Sequence, residues 1–205
     1  MPNNLAAKED LDAKTTLIAE DILSDMTPAE RRRAEIVESV LPELRRAALA
    51  SDEEAAFHLP HIETFRKAGL LGLIVPEEFG GLGGGPRDLK AATYALGTAR
   101  GSTALAFFFH CSSASRGLLA LEALEADLYS DEEAPVVRAF AEKVLRRMPV
   151  HWMGNFGSES PKSSKSTLTI KTVATKTEGG WKLNGVKFFG CGTGFADYYL
   201  VTAKL

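Results

Sequence analysis

The side chains best able to do chemistry are few and scattered. Glu77 and Glu78 are adjacent, so their side chains diverge, which makes them poor candidates for an acid–base pair of carboxylates. Cys111 and Cys191 form neither a C-x-x-C redox pair nor a metal-ligand spacing. We therefore expect free thiols in a reducing compartment, with no disulfide and no metal site. None of these residues is identified as a catalytic group.

His110 is the remaining candidate, in the apolar stretch "ALAFFFHCSS". A single histidine on an apolar helix face is usually a packed, hydrogen-bonded core residue. We interpret His110 in that way and do not assign it a catalytic role.

The composition limits which classes of protein are possible. The 205 residues are 45% hydrophobic and 25% charged, which predicts a folded chain. The net charge of -3 argues against nucleic-acid binding, which needs clustered basic residues. Apolar runs such as "LAFFF" are far shorter than the roughly 18 residues of a membrane span. Because the acidic N-terminus resembles no signal or transit peptide, we expect a cytoplasmic protein.

The secondary structure predicted from the sequence changes near Pro149, from helices before it to strands after it. Capping boxes, in which a Ser or Thr and a Glu three residues later cap each other, predict helix starts at Thr27, Ser51 and Ser130. Apolar residues at helical spacing predict further helices over residues 61–68, 86–99 and 102–128. Gly69 is expected to cap the first of these, before an extended "LLGLIVP" and a glycine-rich loop.

After Pro149 the pattern changes to that of antiparallel strands. "STLTIKTVATKT" alternates polar and apolar residues, "EGG" predicts a turn, and "WKLNGVKFF" predicts a hairpin on Asn184-Gly185. The charge changes too, from 17 basic and 24 acidic residues before position 149 to seven and three after it. The sequence predicts an α+β protein with an extension helix over residues 1–26, a helical domain over 27–148 and a β-domain over 149–205.

Three segments together resemble the acyl-CoA dehydrogenase family. They are "FHLPHIETFRKAGLLGLIVPEEFGGLGG", "ARGSTALAFFFH" and "LNGVKFFGCGTGFADYYLV". The resemblance implies a helical N-terminal domain and an antiparallel, barrel-like middle domain that holds FAD. It also implies an acyl-CoA substrate and a homo-oligomer in the complete protein. On this resemblance the chain ends partway through the middle domain, so we expect an incomplete barrel and no catalytic base before Leu205.

The resemblance also implies which residues contact the flavin. "SESPKSSK" stands at a flavin-contacting strand of the family, and "KFFGCGTG" replaces a second such stretch. By spacing alone the first is a solvated loop and the second an ordinary hairpin with a buried Phe and Cys. With the resemblance, the expected FAD contacts are Asn155, Gly157, Ser158, Ser164, Phe189 and Cys191.

Three functions remain open at this point. The first is FAD-dependent α,β-dehydrogenation of an acyl-CoA thioester, by a protein of which this chain is an incomplete form. The second is a flavin-dependent monooxygenase of the same fold, because the altered flavin stretches are compatible with both. The third is a non-catalytic oligomerisation module that would use the apolar stripe of residues 36–44.

Overall fold

A computed structural model describes residues 25–54, 56–159 and 170–205. The extension helix predicted over residues 1–26 lies almost wholly outside these ranges. The described part of the chain forms five α-helices followed by four short strands. The helices are α1 Pro28–Glu53, α2 Pro60–Lys67, α3 Pro86–Ala99, α4 Gly101–Glu125 and α5 Ala134–Arg147. The strands are β1 Met153–Phe156, β2 Val173–Thr177, β3 Gly180–Asn184 and β4 Tyr198–Val201.

Two of the three predicted capping boxes are confirmed. Before α1, the backbone N–H of Thr27 donates to the Glu30 carboxylate over 2.8 Å, and the N–H of Glu30 donates to Thr27 Oγ1 over 3.2 Å. Ser130 and Glu133 make the same reciprocal bonds just before α5. The predicted start at Ser51 is wrong, because α1 continues to Glu53. The strong helix formers of residues 45–50 give α1 no reason to stop earlier.

The segment that connects α2 to α3 is a compact pair of turns. Gly69 has φ +73°, the left-handed conformation expected of a glycine that ends a helix. The extended segment predicted over residues 70–76 is wrong, because residues 70–72 form a turn of 3-10 helix. A second such turn follows at residues 77–79, in the predicted loop. An apolar run without a period fits a buried turn as well as a strand, and Leu70 and Leu71 are fully buried.

The glycine-rich loop folds back onto these turns. The N–H of Gly83 donates to the carbonyl of Val75 and that of Gly84 to the carbonyl of Leu73, over 2.9 and 2.8 Å. A side chain on Gly81 would overlap the Val75 backbone, so the close approach requires glycine.

Helix α4 is the central helix of the core. Nine of its residues are buried, among them Phe107, His110 and Cys111. By length and composition alone it could cross a bilayer. The polar atoms of its buried face are instead used inside the fold, where His110 bonds to Leu71 and Met153.

The strands form two separate pairs. Strands β2 and β3 pair antiparallel around the predicted Glu178-Gly179 turn. Strand β4 pairs with β1, and this pair is parallel rather than antiparallel. The predicted α+β class is confirmed, and no closed barrel is present among the described residues.

The predicted hairpin on Asn184-Gly185 is wrong. Asn184 is the last residue of β3 and pairs with Val173. A side chain on Gly185 would overlap Thr172, so this glycine permits close packing and does not form a two-residue turn. The chain then continues to Phe188, whose N–H donates to the carbonyl of Ser158 over 3.0 Å.

Candidate functional site

Strand β1 is anchored to the helical core by the residue before it. The Trp152 indole is almost completely buried, with ring centroids 5.0 Å from His110, 5.8 Å from Phe195 and 6.2 Å from Phe65. Its backbone N–H donates to Asp197 Oδ2 over 2.7 Å, and its carbonyl accepts from the Asp197 N–H over 2.9 Å. Trp152 therefore fixes both the depth and the direction of β1.

His110 provides a second anchor. Its Nε2 lies 2.8 Å from the Leu71 carbonyl, and its Nδ1 lies 3.0 Å from the backbone nitrogen of Met153. A carbonyl only accepts and an N–H only donates, so the ring carries its hydrogen on Nε2 and accepts at Nδ1. Burial lowers the pKa of His110 to about 4, which keeps the ring neutral. The prediction that His110 is a hydrogen-bonded core residue is confirmed.

The two stretches expected to contact flavin lie side by side. Asn155 in β1 forms an isolated antiparallel bridge with Cys191. Phe188 is bonded to Ser158 by the backbone contact described above. We call residues 155–158 and 188–191 together the β1 rim. The rim brings together residues that are 30 or more positions apart in the sequence.

Five of the six expected contact residues lie on the β1 rim, and Ser164 lies outside the described residues. Asn155 and Cys191 are partly buried, whereas Gly157 and Ser158 are exposed. Phe189 is 88% exposed and has φ +55°, a conformation unusual for a residue other than glycine. Partial burial raises the pKa of the Cys191 thiol, so this side chain is a neutral thiol at neutral pH.

The acidic group next to the rim is fully engaged. The Glu159 carboxylate accepts from Lys187 Nζ over 2.5 Å, from Thr172 Oγ1 over 2.6 Å and from the N–H of Lys171 over 2.5 Å. The bond from Lys187 is the largest of the effects that hold the pKa of Glu159 well below its usual range. Glu159 therefore joins the two halves of the rim and is a weak base.

The rim residues fit the needs of a flavin ring. A planar, partly apolar ring needs an aromatic or apolar surface and hydrogen-bond partners at its polar edge. In the rim, Phe189 has an exposed aromatic face, and Asn155, Ser158 and the adjacent backbone carry polar groups. Glycine at position 190 allows the Phe156 ring to pack directly against the backbone, because a side chain there would overlap this ring. The described residues include no group of three His, Cys, Asp or Glu side chains that could hold a metal ion.

Sequence reasoning did not identify Trp152, Asp197 and Glu159 as residues that position the rim. Trp152 could have been suspected, since a tryptophan at the point where helices give way to strands is a common anchor for both. Asp197 contacts a residue 45 positions away, and Glu159 contacts residues 12 to 28 positions away, so the local sequence holds no signal for either role.

Comparison with known proteins agrees with this geometry. Residues 29–123 match the sequence profile of the acyl-CoA dehydrogenase N-terminal domain. The chain is 33% identical over 181 residues to the amino sugar nitrososynthase DnmZ of Streptomyces peucetius, covering 87% of this chain and 41% of that protein. It is 30% identical over 159 residues to dibenzothiophene monooxygenase of Rhodococcus qingshengii, covering 77% of this chain and 34% of that protein.

A solved structure gives the same result in three dimensions. KijD3, in complex with FMN and a dTDP-linked 3-amino sugar, superimposes with a TM-score of 0.68 at 27% identity, covering 90% of this chain and 42% of that one. The chain spans less than half the length of each of these proteins. By its profile match over residues 29–123 and by its fold, the chain resembles members of the acyl-CoA dehydrogenase family.

Proposed function

We propose that this protein is a flavin-dependent enzyme that uses reduced flavin and molecular oxygen to oxidise an amine nitrogen. The observation that carries the proposal is the β1 rim, where the backbones of Asn155 and Cys191 form a bridge and the Phe189 ring of the same rim is exposed. Such a surface suits the face and polar edge of a flavin. When bound, flavin supplies the electron transfer, and the protein orients it and limits the access of water.

The relatives support an oxygen-using reaction. They include an amino sugar nitrososynthase and a monooxygenase, and a nucleotide-linked amino sugar occupies the solved relative. Formation of a nitroso group from an amine takes two oxygenations. In each, one oxygen atom of O₂ enters an N–H bond, and the other leaves as water after reduction by two electrons and two protons from reduced flavin. Loss of water from the second product then gives the nitroso group.

The carboxylate beside the rim does not separate dehydrogenation from oxygenation, because the resemblance places the proton-accepting base of a dehydrogenase after Leu205. This carboxylate is Glu159, whose lowered pKa makes it a poor proton acceptor. Its role in the proposal is to hold Lys187 and Thr172, and with them the position of Phe189. The two free thiols, Cys111 and Cys191, support a cytoplasmic location.

Flavin binding tests the site directly. The purified protein is titrated with FMN, FAD and riboflavin while flavin fluorescence is recorded. Phe189→Ala keeps the backbone but removes the aromatic face, so we expect affinity to fall roughly threefold to tenfold. Phe140→Ala is the matched control, because Phe140 is a partly exposed phenylalanine on α5 and does not belong to the rim. Equal affinities for wild type and Phe189→Ala would refute the proposed flavin site.

Acyl-CoA dehydrogenation is the second candidate function, favoured by the family profile. The two are separated by incubating the flavin-loaded protein with an acyl-CoA without oxygen, or with reduced flavin, oxygen and a dTDP-linked 3-amino sugar. We expect no bleaching of oxidised flavin in the first case and a sugar product heavier by oxygen in the second. Bleaching by the acyl-CoA, with no oxygenated sugar, would reject the monooxygenase in favour of the dehydrogenase.

A further inference from the structure

Helices α2 and α4 begin at the same corner of the helical domain. His61 of α2 lies 3.3 Å from Thr103 of α4, and one turn later Phe65 lies against Phe107, with ring centroids 5.1 Å apart. Contacts in the same order along both helices mean that the helices start side by side. The positive ends of both helix dipoles therefore point to one region, where α4 begins with N–H groups that have no partner within the helix. The first N–H groups of α2 are already bonded to the carbonyls of His58 and Leu59.

A buried arginine occupies this corner without a carboxylate partner among the described residues. Arg100 directly precedes α4 and is only 6% exposed. Its Nε donates to Ser102 Oγ and its Nη2 to the Ala56 carbonyl, both over 3.1 Å, and its Nη1 has no partner in the described chain. The nearby Glu43 accepts from the Thr64 hydroxyl over 2.6 Å. A buried guanidinium with a free N–H needs an anion to compensate it.

His61 adds a second unpartnered polar atom at the same corner. The ring is fully buried, and its Nε2 has no hydrogen-bond partner in the described residues. When Thr103 donates to Nδ1, the Nε2 carries the hydrogen and is a donor. The His58 ring lies beside it, tilted by 59°, with ring centroids 4.5 Å apart. Every polar group here that lacks a partner can therefore donate to an oxygen.

We propose that this corner, formed by His61, Arg100 and Ser102 where α2 and α4 begin, binds an oxyanion of the phosphate class. A phosphate group has several acceptor oxygens, and both the arginine fork and helix N-termini match them. The corner lies close to the protein surface: Leu59, Pro60, Gly101 and Ser102 at the two helix starts are exposed, and His61 and Arg100 are buried beneath them. This site is separate from the β1 rim and does not depend on the proposed flavin chemistry.

The phosphate can belong to a free ion or to a larger ligand, and matched pairs distinguish these sources. Inorganic phosphate tests the free ion, FMN against riboflavin tests the flavin phosphate, and dTDP against thymidine tests the nucleotide diphosphate. Ionic strength is kept constant with chloride, so that screening does not vary.

The experiment measures phosphate binding through the rise in melting temperature with phosphate concentration. Arg100→Gln removes the charge and the unpartnered donor, and we expect phosphate affinity to fall about tenfold or more. Arg87→Gln is the control, because Arg87 also stands at a helix N-terminus, that of α3, but is largely exposed. Phosphate affinity in Arg87→Gln should remain within about twofold of wild type.

A wild-type measurement keeps the test valid if Arg100→Gln does not fold. In NMR spectra, millimolar phosphate should shift the ring resonances of His61, and equal ionic strength from chloride should not. Wild-type protein that neither melts higher nor shifts the His61 resonances with any phosphate ligand would overturn the proposal. Equal phosphate affinity in folded Arg100→Gln and wild type would overturn it too. Arg100 would then have only the structural role of bonding to the Ala56 carbonyl.

Discussion

The neutral state of His110 makes a quantitative prediction for stability against pH. Its pKa is lowered from 6.5 to about 4 by burial in the folded protein, whereas the unfolded chain has the ordinary value. As pH falls below 6.5, only the unfolded state gains a proton on this residue, so folding weakens. At 1.36 kcal/mol for each pKa unit, the loss reaches roughly 3 kcal/mol near pH 4. Above 6.5 both states are neutral and the term is absent.

The substitution His110→Gln isolates this term. A glutamine amide can still donate to the Leu71 carbonyl from the position of Nε2, but the Met153 N–H loses its acceptor, at a cost of about 1–3 kcal/mol. A domain with about 5–15 kcal/mol of stability tolerates this, so the variant should fold.

The assay is urea unfolding of both proteins at a series of pH values from 7.5 to 4.5 in a phosphate-free buffer. Carboxylates titrate equally in both proteins, so the difference between the two unfolding free energies reports His110. Wild type should be more stable at neutral pH, and its advantage should shrink as pH falls. A difference that stays constant over the whole range would refute the conclusion that the folded state holds a buried, neutral imidazole.

Three further predictions concern the rim and the first helix. Gly190→Ala should destabilise the protein by about 1–3 kcal/mol, measured by urea unfolding, because the added methyl overlaps the Phe156 ring. Glu159→Gln should lower the melting temperature most at neutral pH. Its effect should fade as pH drops below 4.5, because the unfolded wild-type chain then takes up a proton on Glu159 while the folded state, in which Lys187 chiefly lowers the pKa, stays ionised. Thr27→Ala should cost about 1 kcal/mol in the same unfolding assay by removing the cap of α1, whereas Thr27→Ser should restore it.

The helices were largely predictable because their signals are local. A capping box and an apolar stripe lie within a few residues of the turns they specify, and α3 occupies the predicted residues 86–99. The pairing of β4 with β1 was not predictable, because it joins strands 45 residues apart and depends on the buried Trp152. The hairpin predicted at Asn184-Gly185 was wrong for the same reason. The conformation at Gly185 is determined by its packing against Thr172 and not by its turn propensity.

The candidate site, like the fold, was only partly predictable from the sequence. The resemblance named Asn155 and Cys191, and the fold brings these two residues together. It could not supply the supports of the rim, because the bonds of His110 go to the backbone of Leu71 and Met153. A backbone N–H or carbonyl can be supplied by almost any residue type, so no sequence motif identifies such a partner.

The segment of residues 56–58 physically connects the two proposed sites. At one end the Ala56 carbonyl accepts from Arg100 over 3.1 Å. At the other the Phe57 ring stacks on Phe195, with centroids 4.4 Å apart and planes 8° from parallel. Phe195 in turn donates its N–H to the carbonyl of Gly192, the neighbour of Cys191 in the rim. The Arg100 guanidinium and the loop that follows Cys191 are therefore connected through two adjacent residues, Ala56 and Phe57.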